Sequence, residues 1–204
     1  AEHLPQGNEP ARRAATFSDL GLAMYGQGQV MTTRRWLDDL GDDVLIANPA
    51  LVVSRTWTAV LLGEVREGEK WAGLLDEIDA SAFPDDDRVL FESARAMVRA
   101  AMCVHGFDQV VTDAAYALEH EPVTSPWRDQ ALHLWASALL LSGRSGARDV
   151  FAEAIELATV MQNPDTVILS EPELALIAIE DGHWVAAADH AQRGVDAIDA
   201  SHME

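Results

Sequence analysis

The chain is poor in several features that would narrow its chemistry. Among 204 residues there is one cysteine, Cys103, so an intramolecular disulfide framework is excluded and a reducing setting is expected. Lys70 is the only lysine, and Lys plus Arg total 14 against 34 Asp plus Glu, a net charge of −20. So little positive charge leaves nothing to neutralise a phosphate backbone or an anionic membrane, and no direct nucleic-acid binding is expected of this chain. No apolar run approaches the roughly 18 residues of a membrane span. The opening Ala1-Glu2-His3-Leu4 carries no basic region followed by an apolar stretch, so a signal peptide is not expected. These absences predict a soluble, cytoplasmic protein. A chain that opens on Ala rather than Met is expected to be a processed form or a piece of a longer protein.

What the chain does hold is helix-forming and regularly punctuated. It has 33 Ala, 13 Gly and 8 Pro, with 49% apolar and 24% charged residues, an ordinary globular balance. Apolar stretches end at Gly28, Gly63, Gly106, Gly143 and Gly182, and an amphipathic stretch follows each at once. The separations of 35, 43, 37 and 39 residues lie near the roughly 34-residue tetratricopeptide period, but are looser. Eight residues after a repeat glycine stand Trp36, Trp71 and Phe151; Ala114 and His190 break the pattern in the third and fifth units. Asn48-Pro49 and Ser125-Pro126 place a capping side chain before a proline at a helix start. Ser81 to Asp87 reads as a loop whose acidic end favours the next helix start, and Gln162-Asn163-Pro164-Asp165 as a break.

The pattern predicts ten helices, over 10–26, 29–40, 49–62, 65–79, 87–105, 107–120, 126–142, 145–161, 167–181 and 183–199. Residues 1–9 are expected to form a linker or disordered start, 10–199 a helical repeat domain, and 200–204 a tail. Val44-Leu45-Ile46 is too isolated for a strand and is expected to be loop residues plugging the array. The first helix of a pair is apolar nearly all round, as in Ala131 to Leu141; the second is amphipathic, as in Asp149 to Leu157. An all-apolar helix must be covered on all sides, which stacked pairs achieve. The expected fold is therefore all-α, a right-handed α-α superhelix of about five tetratricopeptide-like pairs, first helices lining the inner surface.

Candidate chemistry is thin. His183 and His190 are seven residues apart, about 10 Å along a helix, too far for one metal ion without a ligand between them. The pairs Asp38-Asp39 and Asp42-Asp43 and the run Asp85-Asp86-Asp87 point different ways around a helix and do not converge on one substrate atom. No nucleophile-elbow motif is present, and the protein is not expected to be an enzyme. A binding groove is the better expectation. By the repeat alignment Tyr25, Trp57, His133 and Ser137 fall on or near the inner surface, an aromatic setting suited to a sugar ring, an apolar ligand or an amphipathic peptide helix. His133 is also expected as a hydrogen-bonded core histidine. Arg95 and Arg99, one turn apart, pair with neighbouring acids or hold an anionic ligand group.

The most specific segment is Met24-Tyr25-Gly26-Gln27-Gly28-Gln29-Val30-Met31-Thr32-Thr33-Arg34-Arg35-Trp36-Leu37-Asp38-Asp39-Leu40. It resembles a segment of large LuxR-type transcriptional regulators of the MalT-like kind. So do Asn48-Pro49-Ala50-Leu51 leading to Trp57 and Leu61-Leu62-Gly63-Glu64-Val65, and Ala154-Ile155-Glu156-Leu157-Ala158 followed by Asn163-Pro164, in the same order. The resemblance implies a parent with a nucleotide-binding switch, a central helical repeat region and a helix-turn-helix, of which this chain is the centre. No phosphate-loop motif and no basic recognition helix is present, so ATP is expected only in a separate domain of the parent, and no cofactor here. What carries over is a sensing role, with a small-molecule inducer or a protein partner in the groove and a possible homodimer. A kinase-linked or free-standing adaptor is the alternative.

Overall fold

A computed structural model of the chain describes residues 30–103 and 105–201. The expected helix over 10–26, the linker 1–9, Tyr25 and Gly28 lie outside the described residues, as does the tail beyond Ser201. The described residues contain ten α-helices, one 3-10 turn and no strand, and no helix among them is long and apolar enough to cross a membrane. They fall into two compact units, 30–79 and 80–201.

The first unit comprises α1 (Val30–Leu40), α2 (Asp42–Ile46), α3 (Pro49–Leu61) and α4 (Val65–Glu77). On α1 the buried residues are Thr33 and Leu37, spaced one turn apart. Trp36, at the repeat's aromatic position, is 40% exposed, so here the buried position falls one residue later. Val44-Leu45-Ile46 belongs to a one-turn helix rather than a loop; Asp42 and Asp43 in its first turn suit the helix dipole, and Leu45 is its buried anchor. Asn48 and Pro49 occupy the cap and first helical positions of α3 as expected, but the Asn48 side chain makes no capping hydrogen bond. Trp71 of α4 is fully buried, and its Nε1 donates to Glu67 Oε2 at 3.2 Å.

The second unit opens with a 3-10 turn (Ala80–Ala82) and continues as α5 (Asp85–Met102), α6 (Phe107–His120), α7 (Arg128–Leu141), α8 (Ala147–Met161), α9 (Pro164–Glu180) and α10 (Trp184–Ser201). These form three hairpins, α5–α6, α7–α8 and α9–α10, and α7 packs on α6 as α9 packs on α8. Phe151 is buried among Ala136, Leu139, Ala147 and Leu174, which joins the last two hairpins. Several helix starts differ from expectation by one to three residues, and two of them have a visible cause. α7 begins at Arg128 rather than 126, because Ser125 Oγ accepts from Trp127 N at 3.1 Å and folds Ser125-Pro126-Trp127 into a turn. α9 begins at Pro164 rather than 167: Asn163 is a true cap, its side chain accepting from Asp165 N at 3.2 Å.

The hairpin turns repeat at atomic detail. At Gly63, Gly143 and Gly182 the chain takes a positive φ of 67°, 64° and 74°. Each is flanked by the same two bonds: Glu64 N to Ala59 O, Arg144 N to Leu139 O and His183 N to Ala178 O, at 2.8–2.9 Å, with the glycine N–H bonding the carbonyl three residues back at 3.0 Å. This closure satisfies carbonyls that a helix end would otherwise orphan. In the third repeat the helix ends instead at Cys103, with φ 52°, and Gly106 only begins α6. Aligned on the residue that ends each first helix (63, 103, 143, 182), the separations become 40, 40 and 39. The uneven 43 and 37 of the sequence come from counting on Gly106, which stands three residues after Cys103.

Candidate functional site

The corrected register shows what each expected groove residue does. Trp57 lies on α3 in the first unit and is 6% exposed, a core residue there; its equivalents in the next two repeats are Met97, buried, and Ser137, half-buried. Arg55 and Arg95 are also equivalent, eight residues before their turns, and both are buried. Each guanidinium lies over an aromatic ring, Arg55 at 5.8 Å from Trp71 and Arg95 at 4.7 Å from Phe91. Arg95 also stands 3.4 Å from Glu92. Arg99 grips Asp113 across the α5–α6 hairpin with two bonds, Nε to Oδ2 at 3.2 Å and Nη2 to Oδ1 at 2.9 Å. Both arginines expected to meet an anion therefore meet carboxylates of their own chain, a forked pairing in the case of Arg99.

His133 and Ser137 follow one another by one turn on α7. The His133 Nδ1 is 2.9 Å from Ser170 Oγ of α9, and its ring lies 5.7 Å from Phe151. Burial pulls its pKa down from 6.5 to about 4, so the ring is neutral at pH 7. Tyr25 lies outside the described residues. Among those residues no group of three or more His, Cys, Asp or Glu is placed to hold a metal ion. His190 instead meets Glu171 Oε2 at 2.6 Å, and Arg193 Nε donates to Glu171 Oε1 at 2.8 Å, which fastens α10 to α9 around one buried carboxylate.

A second polar cluster ties α7 to α9. Asn163 Nδ2 donates to Asp129 Oδ2 at 2.7 Å, yet the buried Oδ1 atoms of Asp129 and Asp165 receive no hydrogen bond. Burial raises the pKa of both acids, and the charge of Asp129 raises Asp165 further. The cluster is a linker between repeats that favours a proton.

A concave feature of the second unit lies elsewhere. An open groove of about 570 Å³ runs along the last turns of α6, the Glu121–Val123 loop and α7, with Leu118, Val123 and Trp135 as apolar walls and Glu119, His120 and Arg128 as ionisable ones. Its floor is held by Glu121, buried and bonded by Ser93 Oγ at 2.6 Å and by Ser125 Oγ, while Arg128 donates to Glu121 O at 2.9 Å. His120 stacks on Tyr116 with centroids 3.9 Å apart. None of Trp57, Arg95, Arg99, His133 or Ser137 lines it.

Comparison with known protein families, curated proteins and solved structures finds no match. The geometry must speak alone. The groove combines an aromatic wall, an exposed valine and a few charges at its rim, a make-up shared with surfaces that take amphipathic ligands or segments. Sequence reasoning missed it because most of its walls come from a helix end and the following loop, and Trp135, eight residues before its turn like Arg55 and Arg95, was not among the expected groove residues. The available signal was Val123, an apolar residue set among Glu121, Pro122, Thr124, Ser125 and Pro126.

Proposed function

We propose that this chain is the ligand-sensing or protein-interaction repeat region of a LuxR-type, MalT-like transcriptional regulator. The observation that carries the reading is the ordered resemblance of residues 24–40, 48–65 and 154–164 to that family. The near-constant 40-residue hairpin period is what such a region requires. In this reading the hairpins wind as a right-handed superhelix. An inducer or partner segment in the groove beside Trp135 favours one packing of the repeats against the nucleotide switch, a population shift rather than a chemical step.

The test is a titration of a panel of oligosaccharides and amphipathic helical peptides against the chain, followed by tryptophan emission. At least one probe is expected to saturate, and Val123→Asp, at an exposed groove wall, to weaken it about tenfold with an unchanged circular dichroism spectrum. A panel without any saturable response, or a saturable response indifferent to Val123→Asp, overturns the groove assignment. Trp57→Ala is the wrong variant for this purpose: truncating so buried a tryptophan costs about 3–5 kcal/mol of stability whatever the ligand.

A further inference from the structure

In this acid-rich chain the inward arginines meet acids, with one exception. Among the described residues Arg34, Arg55, Arg88, Arg95 and Arg99 are buried or half-buried, and each has a carboxylate oxygen within 3.5 Å. Arg128, half-buried at the start of α7, has no carboxylate partner among them. Its Nη1 donates instead to two main-chain carbonyls, Leu118 O and, at 2.9 Å, Glu121 O. These oxygens belong to the end of α6 and the loop after it, so the guanidinium is held in place. Its Nε and Nη2 make no hydrogen bond to a described residue, and neither is sealed from solvent. Those two nitrogens form the edge with which Arg99 grips Asp113, at 3.2 and 2.9 Å. Such a fork matches the two oxygens of a carboxylate.

The acids of the groove do not fill this edge. The Glu121 carboxylate is buried and accepts from Ser93 Oγ and Ser125 Oγ, and Glu119 is exposed and makes no ion pair with a described residue. Arg128 and Trp135 are seven residues apart on α7, so both stand on one helix face, about 10 Å apart along its axis. Both line the groove, together with the apolar Leu118 and Val123. The groove's volume of about 570 Å³ lies within the roughly 300–1,000 Å³ of small-molecule sites.

We propose that the groove takes a small apolar carboxylate, its acid group forked by Arg128 and its hydrocarbon or aromatic body packed on Trp135. The proposal rests on the groove reading above and names the ligand class. A neutral ligand would leave the charge-assisted fork unused, and a cation would be repelled by the guanidinium. The two carbonyl bonds of Arg128 set its orientation before the ligand arrives, which lowers the ordering cost of binding.

The probes are 4-phenylbutyrate, whose acid and ring are about that far apart, and its neutral match 4-phenylbutyramide, each titrated calorimetrically into the chain. The acid is expected to saturate with a dissociation constant below about 1 mM. The amide is expected to bind about tenfold more weakly, since it lacks the charge-assisted pair. In Arg128→Gln the two are expected to bind within about twofold of each other. The acid–amide comparison on the parent chain tests the proposal even where that variant fails to fold. Acid and amide of equal affinity, both weakened by Val123→Asp, overturn the carboxylate and leave the groove reading standing. A preference for the acid that persists in Arg128→Gln, or no saturation by the acid up to about 10 mM, also overturns it. Acid binding indifferent to both variants places the ligand elsewhere and overturns the groove reading as well.

Discussion

His133 and Asp129 sit one turn apart at the start of α7, and burial drives both toward the neutral form, with opposite consequences for pH. For His133 the folded pKa, about 4, lies below the unfolded 6.5. Its contribution is complete above pH 6.5 and is lost as pH falls toward 4, up to about 2–3 kcal/mol. For Asp129 the folded pKa is raised, so the folded state binds the extra proton and acidification relieves a penalty present at neutral pH. Urea unfolding at pH 7 and pH 5 separates the two. His133→Gln is expected to lose less stability between these pH values than the parent, and Asp129→Asn to lose more while equalling or exceeding it at pH 7. A parent and His133→Gln with parallel pH dependences would contradict the burial account. At this scale the sequence was informative where a residue stood in a local pattern: a core histidine partnered in the next hairpin, and arginines among acids, were both foreseeable. The Asp129–Asn163–Asp165 cluster was not, because Asp129 lies more than thirty residues from the other two and meets them only through packing.

Helix ends carry the repeat, and their backbone geometry yields a paired prediction. Gly143 at φ 64° has nothing within 4 Å of an added Cβ, so Gly143→Ala tests backbone strain alone and is expected to cost about 1 kcal/mol. Gln162 ends α8 at φ 58° without a glycine, and Gln162→Gly is expected to gain some tenths of a kcal/mol up to about 1. Thermal unfolding of both variants checks the pair; equal and same-signed shifts would contradict it. Helix positions were legible because Gly and Pro mark these ends. α6 was read to the residue, and most other boundaries to within two or three. The failures have local causes: Cys103 adopts a left-handed turn that residue type alone does not announce, and Ser125 spends its hydroxyl on a turn two residues before the helix.

For the whole chain, charge and surface decide what the parts can do. The chain carries a net charge of −20, and the proposed function places its ligand in the groove beside Trp135. The hairpin architecture was legible from the glycine period, since the turns at Gly63, Gly143 and Gly182 each leave a mark in the sequence. The groove was not, since Glu121, Pro122 and Val123 of its lining come from a loop that no repeat dictates. The central functional claim, a sensing region set within a regulator, is tested most directly by reading the coding sequence on both sides of this chain. The account predicts a phosphate-loop motif before it and a helix-turn-helix after it. A kinase before it, or neither motif within the same reading frame, would contradict the regulator assignment and leave a helical-repeat adaptor.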